Sequence, residues 1–179
     1  WWDEQIPLPN APVFGVSWYD ARAFCRWANA RWAQPAPEGS FDLPDSREWE
    51  AAALMRGGPY PWGKAEPARG DAAQANYKWG QDSPGAITPV GLFRREADGP
   101  FLDLAGNVWE WCGSGYGERG GTRCHLDDKP DDKLRVLRGG SWIVVSGYLR
   151  AADRDRLHPA LRSRDFGFRV VFRSPPHRS

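Results

Sequence analysis

At 179 residues the chain has the length of one ordinary domain, long enough to bury a core without a disulfide framework or a metal to hold it. Its 24 basic and 23 acidic residues leave a net charge of +1, so bulk charge gives no footprint for nucleic acid or an anionic membrane. No apolar run approaches the roughly 20 residues that span a bilayer and no basic-then-apolar leader opens the chain, so the expectation is a soluble segment without membrane insertion, cytoplasmic or surface-displayed.

The opening from Trp1 to Phe14 is proline-rich and aperiodic, which predicts an extended lead-in. A helix follows: Ser17 is a good N-cap with Asp20 three residues on, and Trp18, Ala21, Cys25, Ala28 and Trp32 recur at helical spacing as a core-facing stripe. A second helix begins after Pro44, where Asp45 caps and Glu48 completes a capping box. It is expected to run through Trp49, Ala52 and Ala53 to a stop at Gly57-Gly58. With 11 Trp, 20 Gly and 16 Pro the chain is rich in loops, and those from Pro59 to Pro100 must be packed by Tyr60, Trp62, Tyr77 and Trp79. Short strands are predicted at Asn107–Trp111, Arg135–Leu137 and Phe168–Phe172, before a polar tail from Arg173 onward. The sum is one α+β domain over residues 1–179, with two helices and a small, mostly antiparallel sheet.

The three cysteines show no metal-ligand spacing. Cys25 reads as a small buried hydrophobe, whereas Cys112 and Cys124 flank a Gly-rich loop and leave a disulfide between them open. His125, His158 and His177 form no helical pair.

Several strings then add up in order: Pro12-Val13 with Gly15 to Ala21, Leu43-Pro44 before Glu48-Trp49-Glu50, Tyr60-Pro61-Trp62-Gly63, and Pro89-Val90-Gly91. Asp103 to Trp111, Arg138-Gly139-Gly140-Ser141-Trp142 and Gly167 to Val171 complete the set. Together they closely resemble the formylglycine-generating-enzyme, or sulfatase-modifying factor, family. The resemblance implies a C-type lectin-like fold, and also N-terminal strands that this segment does not contain. It further implies, for the oxygen-dependent enzymes, a cysteine pair just after the Gly-Gly-Ser-aromatic string. Here that place reads Ile143 to Tyr148 without a cysteine, and a thiolate mechanism needs a thiol there. The expectation is a non-catalytic domain that requires no cofactor.

Between Arg138 and Arg169 a regular frame alternates with residues that follow neither a helical nor a strand period. These are Ile143, Val144, Val145, Gly147, Tyr148, Asp153, Asp155, Arg156, Leu157, His158, Leu161, Ser163, Arg164, Asp165 and Phe166. Each can be encoded by a codon that ends in C and differs from an asparagine codon only in its first two bases. None is Lys, Glu, Gln, Met or Trp. The layout resembles the variable proteins of prokaryotic and phage diversity-generating retroelements, which implies a hypervariable region at about 143–166 that binds an unknown ligand, a protein or cell-surface molecule. Among the frame residues, Arg150, Arg154 and Arg162 are expected to tie loops to backbone carbonyls. Two other readings stay open: an enzyme of the formylglycine-generating or sulfoxide-synthase type with an unrecognised site, and a fixed-sequence interaction domain of the same fold.

The string from Asp103 to Glu110 matches a calcium site of the enzyme family. That match implies side-chain oxygens from Asp103 and Glu110 and carbonyls from Gly106 and Val108 around a structural ion. The other reading of the same residues is a hydrogen-bonded turn with Glu110 paired to an arginine.

Overall fold

The computed structural model describes residues 9–32, 39–93, 100–116 and 133–174. Helix α1 (Trp18–Trp32) opens where expected, with the Ser17 amide and hydroxyl both donating to the Asp20 carboxylate at 2.8 and 2.6 Å. Strand β1 (Ser40–Asp42) leads into helix α2 (Ser46–Ala53), whose Asp45 carboxylate accepts from the amides of Arg47 and Glu48 while Glu48 reaches back to the Asp45 amide. The capping box starts this helix as predicted, but the helix ends at Ala53 and reaches Gly57 only through turns. Gly57 sits at φ 67°, a left-handed conformation that a residue with a Cβ disfavours.

The remaining strands are β2 (Trp109–Gly115), β3 (Arg135–Arg138), β4 (Arg154–Leu157), β5 (Phe166–Gly167) and β6 (Val171–Arg173). They form a four-stranded sheet in the order β4-β3-β2-β5 and an antiparallel pair of β1 with β6. In the larger sheet β2–β3 and β3–β4 are antiparallel and β2–β5 is parallel. Strands β1, β4 and β5 lie outside the segments that the sequence predicts as strands, and the predicted strand 168–172 is shorter and shifted to β6.

Side-chain alternation along β2 and β3 splits the core into two layers. Trp109, Trp111 and Leu137 join Trp18, Ala21, Cys25 and Leu43 on the side covered by α1. Cys112 and Val136 join Trp49, Ala53, Leu104 and Ala151 on the side covered by α2. Three of the indoles that fill these layers satisfy their N–H groups: Trp18 donates to the Cys112 carbonyl, Trp111 to that of Val16, and Trp49 to the Glu110 carboxylate. A third cluster, built on Tyr60, Ala75, Tyr77, Ala105 and Leu149 with Trp62 and Trp79 against it, packs the long loops as predicted. Trp32 departs from its expected core position: the stripe through Trp18, Ala21, Cys25 and Ala28 is buried, but Trp32 is exposed beyond the edge of the layer.

Cys25 and Cys112 are free, buried thiols, and burial pushes Cys25 up to about 11 and raises Cys112 as well. Cys124, His125 and His177 lie outside the described residues.

Candidate functional site

Arg138, at the end of β3, anchors the C-terminal stretch. Its buried guanidinium donates to the Ser46 hydroxyl and carbonyl at 2.9 and 3.0 Å, to the carbonyls of Ala151 and Asp153 at 3.1 and 3.0 Å, and to Glu50 at 2.7 Å. Helix α2 is thereby locked to the chain that enters β4. The next residues turn sharply at Gly139 and Gly140, both left-handed, and a Cβ on Gly140 would stand 2.9 Å from the Tyr148 carbonyl oxygen. Two backbone bonds, Trp142 N to Asn107 O and Lys78 N to Val144 O, hold the loop that follows. A short 3-10 turn at Ser146–Leu149 then buries Leu149 completely.

This loop carries the first group of expected binding residues. Ile143, Val145 and Tyr148 are 45, 55 and 51 % exposed, which is unusual for apolar side chains beside fully buried frame residues. Gly147 is exposed, with nothing within 4 Å of where a Cβ would stand. Half-buried Val144 packs on the α1-side core, and the Tyr148 ring meets Trp109 edge-on at 6.3 Å. Phe166 meets Trp111 in the same way at 5.6 Å, and Leu157 packs on the same cluster. Tyr148 and Phe166 therefore rest on a floor made by Trp109 and Trp111, and Val144 and Leu157 pack on the cluster that contains both indoles. The alternating tryptophans of β2 are the sequence signal that could have named this floor.

The second loop is pinned to α1. Trp18 N donates to the carbonyl of buried Pro159 at 3.0 Å, and Arg162 pairs with Asp20 at 2.8 Å. His158, Leu161 and Arg164 are exposed there, and Ser163 is half-buried.

Two expected contact residues do not join this surface. Asp165 is only 3 % exposed: Ser141 donates to its carboxylate at 2.8 Å, Ser163 donates to it as well, and its carbonyl accepts from the Trp109 amide. A buried carboxylate must be hydrogen-bonded to offset its desolvation, so Asp165 belongs to the frame. Arg156 pairs opposite Val136 on the α2 side of the sheet and stacks over Tyr116 at 4.4 Å, away from Leu157 and Asp155, which face the α1 side. Asp153 is half-buried, with its carbonyl held by Arg138. The frame arginines also behave differently from expectation. Arg150 and Arg154 stack over Tyr60 and Tyr116 and Arg162 pairs with a carboxylate, whereas Arg138 and Arg169 hold backbone carbonyls.

In the Asp103–Glu110 turn, Glu110 is paired to an arginine. Both Glu110 oxygens accept from Arg169 at 2.5 Å, and one also accepts from Trp49 Nε1 at 2.7 Å. Arg169 donates further to the carbonyls of Leu102 and Asp103 at 3.0 and 3.3 Å. Burial raises the Asp103 carboxyl above its ordinary range, against the pull of the Gly91 amide that it accepts at 3.1 Å. A cation already stands on the Glu110 carboxylate, so these residues do not fit the oxygen cage that calcium needs. Gly106 is closely packed: its amide donates to Gly139 O at 2.8 Å, and a Cβ there would lie 2.2 Å from Asn76 O. Val108 is buried beneath the same turn.

Comparison with known proteins places this geometry. The family described as "Sulfatase-modifying factor enzyme 1-like domain" matches residues 4–174. The chain is 38% identical over 171 residues to "Inactive C-alpha-formylglycine-generating enzyme 2" of Bos taurus, covering 89% of this chain and 50% of that protein. It is 33% identical over 183 residues to "Formylglycine-generating enzyme" of Thermomonospora curvata, covering 91% of this chain and 56% of that one. Among solved structures, "Treponema denticola variable protein 1" superposes with a TM-score of 0.65 at 25% identity, covering 90% of this chain and 70% of that chain. The chain thus spans about half the length of these curated relatives and shares the fold of both enzymes and a variable protein. It has the C-type lectin-like fold of the formylglycine-generating-enzyme type and belongs to the sulfatase-modifying factor enzyme 1-like family.

Proposed function

We propose that this chain is a non-catalytic ligand-binding domain whose contact surface is the region around Ile143 to Phe166, diversified by a diversity-generating retroelement. The observation that carries the reading is the contrast between exposed Ile143, Val145, Tyr148 and Leu161 and fully buried Ser141, Leu149 and Ala151 within one stretch of chain. Side chains held this way can change at little cost to stability, because the frame beneath them makes its own contacts. The likeness to a solved variable protein and to a relative whose name includes "Inactive" supports the same reading. The ligand class is a protein or cell-surface molecule, met by apolar area from Tyr148, Leu161 and Ile143, with His158, Asp155 and Arg164 supplying polar selectivity.

The formylglycine-generating reading of the relatives requires a reactive thiol just after the Gly-Gly-Ser-aromatic string. No cysteine follows Trp142, and among the described residues burial keeps Cys25 and Cys112 protonated at neutral pH. Two experiments test the proposal. A near-copy of the codons for Arg138 to Phe172, rich in asparagine and beside a reverse transcriptase gene, is the expected genomic neighbour; its absence would refute diversification. Oxygen uptake with a thiol peptide and copper should stay at background, and sustained turnover would refute the non-catalytic assignment.

A further inference from the structure

The four-stranded sheet ends on one side in β5, where Gly167 is buried, and on the other in β4, where Arg154, Asp155 and Arg156 are exposed. Backbone groups along such a strand point alternately to its partner and to the outside. The Tyr116 amide donates to the Leu134 carbonyl at 2.8 Å, so Leu134 and, by alternation, Val136 and Arg138 turn their backbone groups toward β2. Arg135 and Leu137 then face β4 and pair with Leu157 and Asp155. The N–H and C=O groups of Arg154 and Arg156 are left on the outer edge. Among the described residues one side chain meets them: the Asp155 carboxylate accepts from the Arg156 amide at 2.7 Å. Charged residues on an edge strand ordinarily keep other strands away. Here both guanidiniums are drawn off the edge, lying over the Tyr116 ring at 5.2 and 4.4 Å on the α2 side of the sheet.

The pattern along β4 selects the occupant of this edge. Residues directly opposite each other in an antiparallel pair share a face, and like charges there are destabilising. Strand β4 paired with β4 of a second copy would set Arg154 opposite Arg156 and Asp155 opposite Asp155 in the fully overlapped register, so self-pairing is disfavoured. A segment of a different protein with acidic residues at alternate positions would meet both arginines instead. Its other side chains would fall on the α1 side, beside the display residues Asp155 and Leu157. We propose, resting on the display function above, that the outer edge of β4 takes an extended segment of the protein ligand by strand addition. The frame supplies the backbone bonds, which are the same for every ligand sequence, while Asp155 and Leu157 read one face of the added strand. Asp155 also gates the edge, because its carboxylate competes with the incoming carbonyl for the Arg156 amide.

The test is fluorescence anisotropy of the labelled peptide Thr-Glu-Val-Glu-Val-Thr titrated with the 179-residue chain. In the added strand the amides of both glutamates point at β4 and those of both valines point away. N-methylation of the glutamates should weaken binding by roughly thirtyfold, the effect of two backbone hydrogen bonds. N-methylation of the valines should leave it unchanged. Arg156→Pro removes the outward amide but keeps the bonds to β3, because proline is tolerated at the solvent side of an edge strand. It should weaken binding about tenfold or more, further than Arg156→Gln, which loses only the charge. Asp155→Val frees the Arg156 amide and should tighten binding. Thermal melts check that each variant is folded. No binding, binding indifferent to N-methylation of the glutamates, or equal loss with either methylated peptide would overturn the inference. A dimer in sedimentation velocity that Arg156→Pro abolishes would overturn it too, giving the edge to a second copy. Absence of peptide binding while randomised display residues still yield binders would sink strand addition and leave the display function standing.

Discussion

Ser141 and Asp165, 24 residues apart, are joined by a buried hydrogen bond of 2.8 Å that closes the display loops onto β2. It converts a residue with the composition of a contact position into part of the frame. Asp165→Ala should therefore destabilise the chain by about 1–3 kcal/mol, since the Ser141 hydroxyl is left buried without its partner. Urea denaturation would read this, and a variant as stable as the parent would return Asp165 to the variable set.

Two glycines in one loop should respond oppositely. Gly147 has open space around its Cβ position and no left-handed backbone, so Gly147→Tyr should change stability by less than about 0.5 kcal/mol. Gly140 sits at φ 75° against the Tyr148 carbonyl, and Gly140→Ala should cost about 1–3 kcal/mol from backbone strain. Thermal melts of the two variants decide it, and equal midpoints would contradict the loop geometry.

The Glu110–Arg169 pair predicts indifference to calcium. Melting temperatures in excess chelator and in millimolar calcium should coincide. Glu110→Ala should cost about 1–3 kcal/mol by leaving Arg169 with only the Leu102 and Asp103 carbonyls and the buried Trp49 N–H without an acceptor. A melting temperature that rises with calcium would show that the turn binds an ion after all.

The tether between Arg162 and Asp20 predicts an acid response. Burial pushes the Asp20 carboxyl up, but its bonds to Ser17 and the charge of Arg162 outweigh burial and leave it below 3.8. A lowered folded value means that this contribution is present above the ordinary carboxylate range and lost as pH falls through the folded value. Amide exchange at Ala160 to Ser163, followed from neutral pH to well below 3.8, should show the loop loosening in acid. Arg162→Gln should remove that dependence, and an unchanged pH profile in the variant would contradict the tether.

The sequence was most informative where local chemistry decides the structure. Asp45 with Glu48 and Ser17 with Asp20 announced both helix starts, because caps act within one turn. Strand β4 was hidden because Arg154-Asp155-Arg156 lacks alternation; its pairing with β3 is a long-range event. Trp32 continues a helical period that the core layer beneath it no longer matches, so periodicity alone placed it inside. Asp165 and Arg156 went astray for a related reason. Residue type at a loop position says nothing about a serine 24 residues away or about which sheet face a strand residue takes. The Trp109–Trp111 floor and the free edge of β4 both required the tertiary arrangement.

The frame should fold independently of the side chains it displays. This independence is tested most directly by randomising Ile143, Val145, Gly147, Tyr148, Asp155, His158, Leu161 and Arg164 together in a cell-surface library and measuring protease resistance clone by clone. Most clones should resist protease as the parent does, and panning against an unrelated purified protein such as lysozyme should yield binders that differ from the parent only at these positions. A library in which most clones are cleaved, or from which no binder emerges, would contradict the assignment of this surface to ligand display.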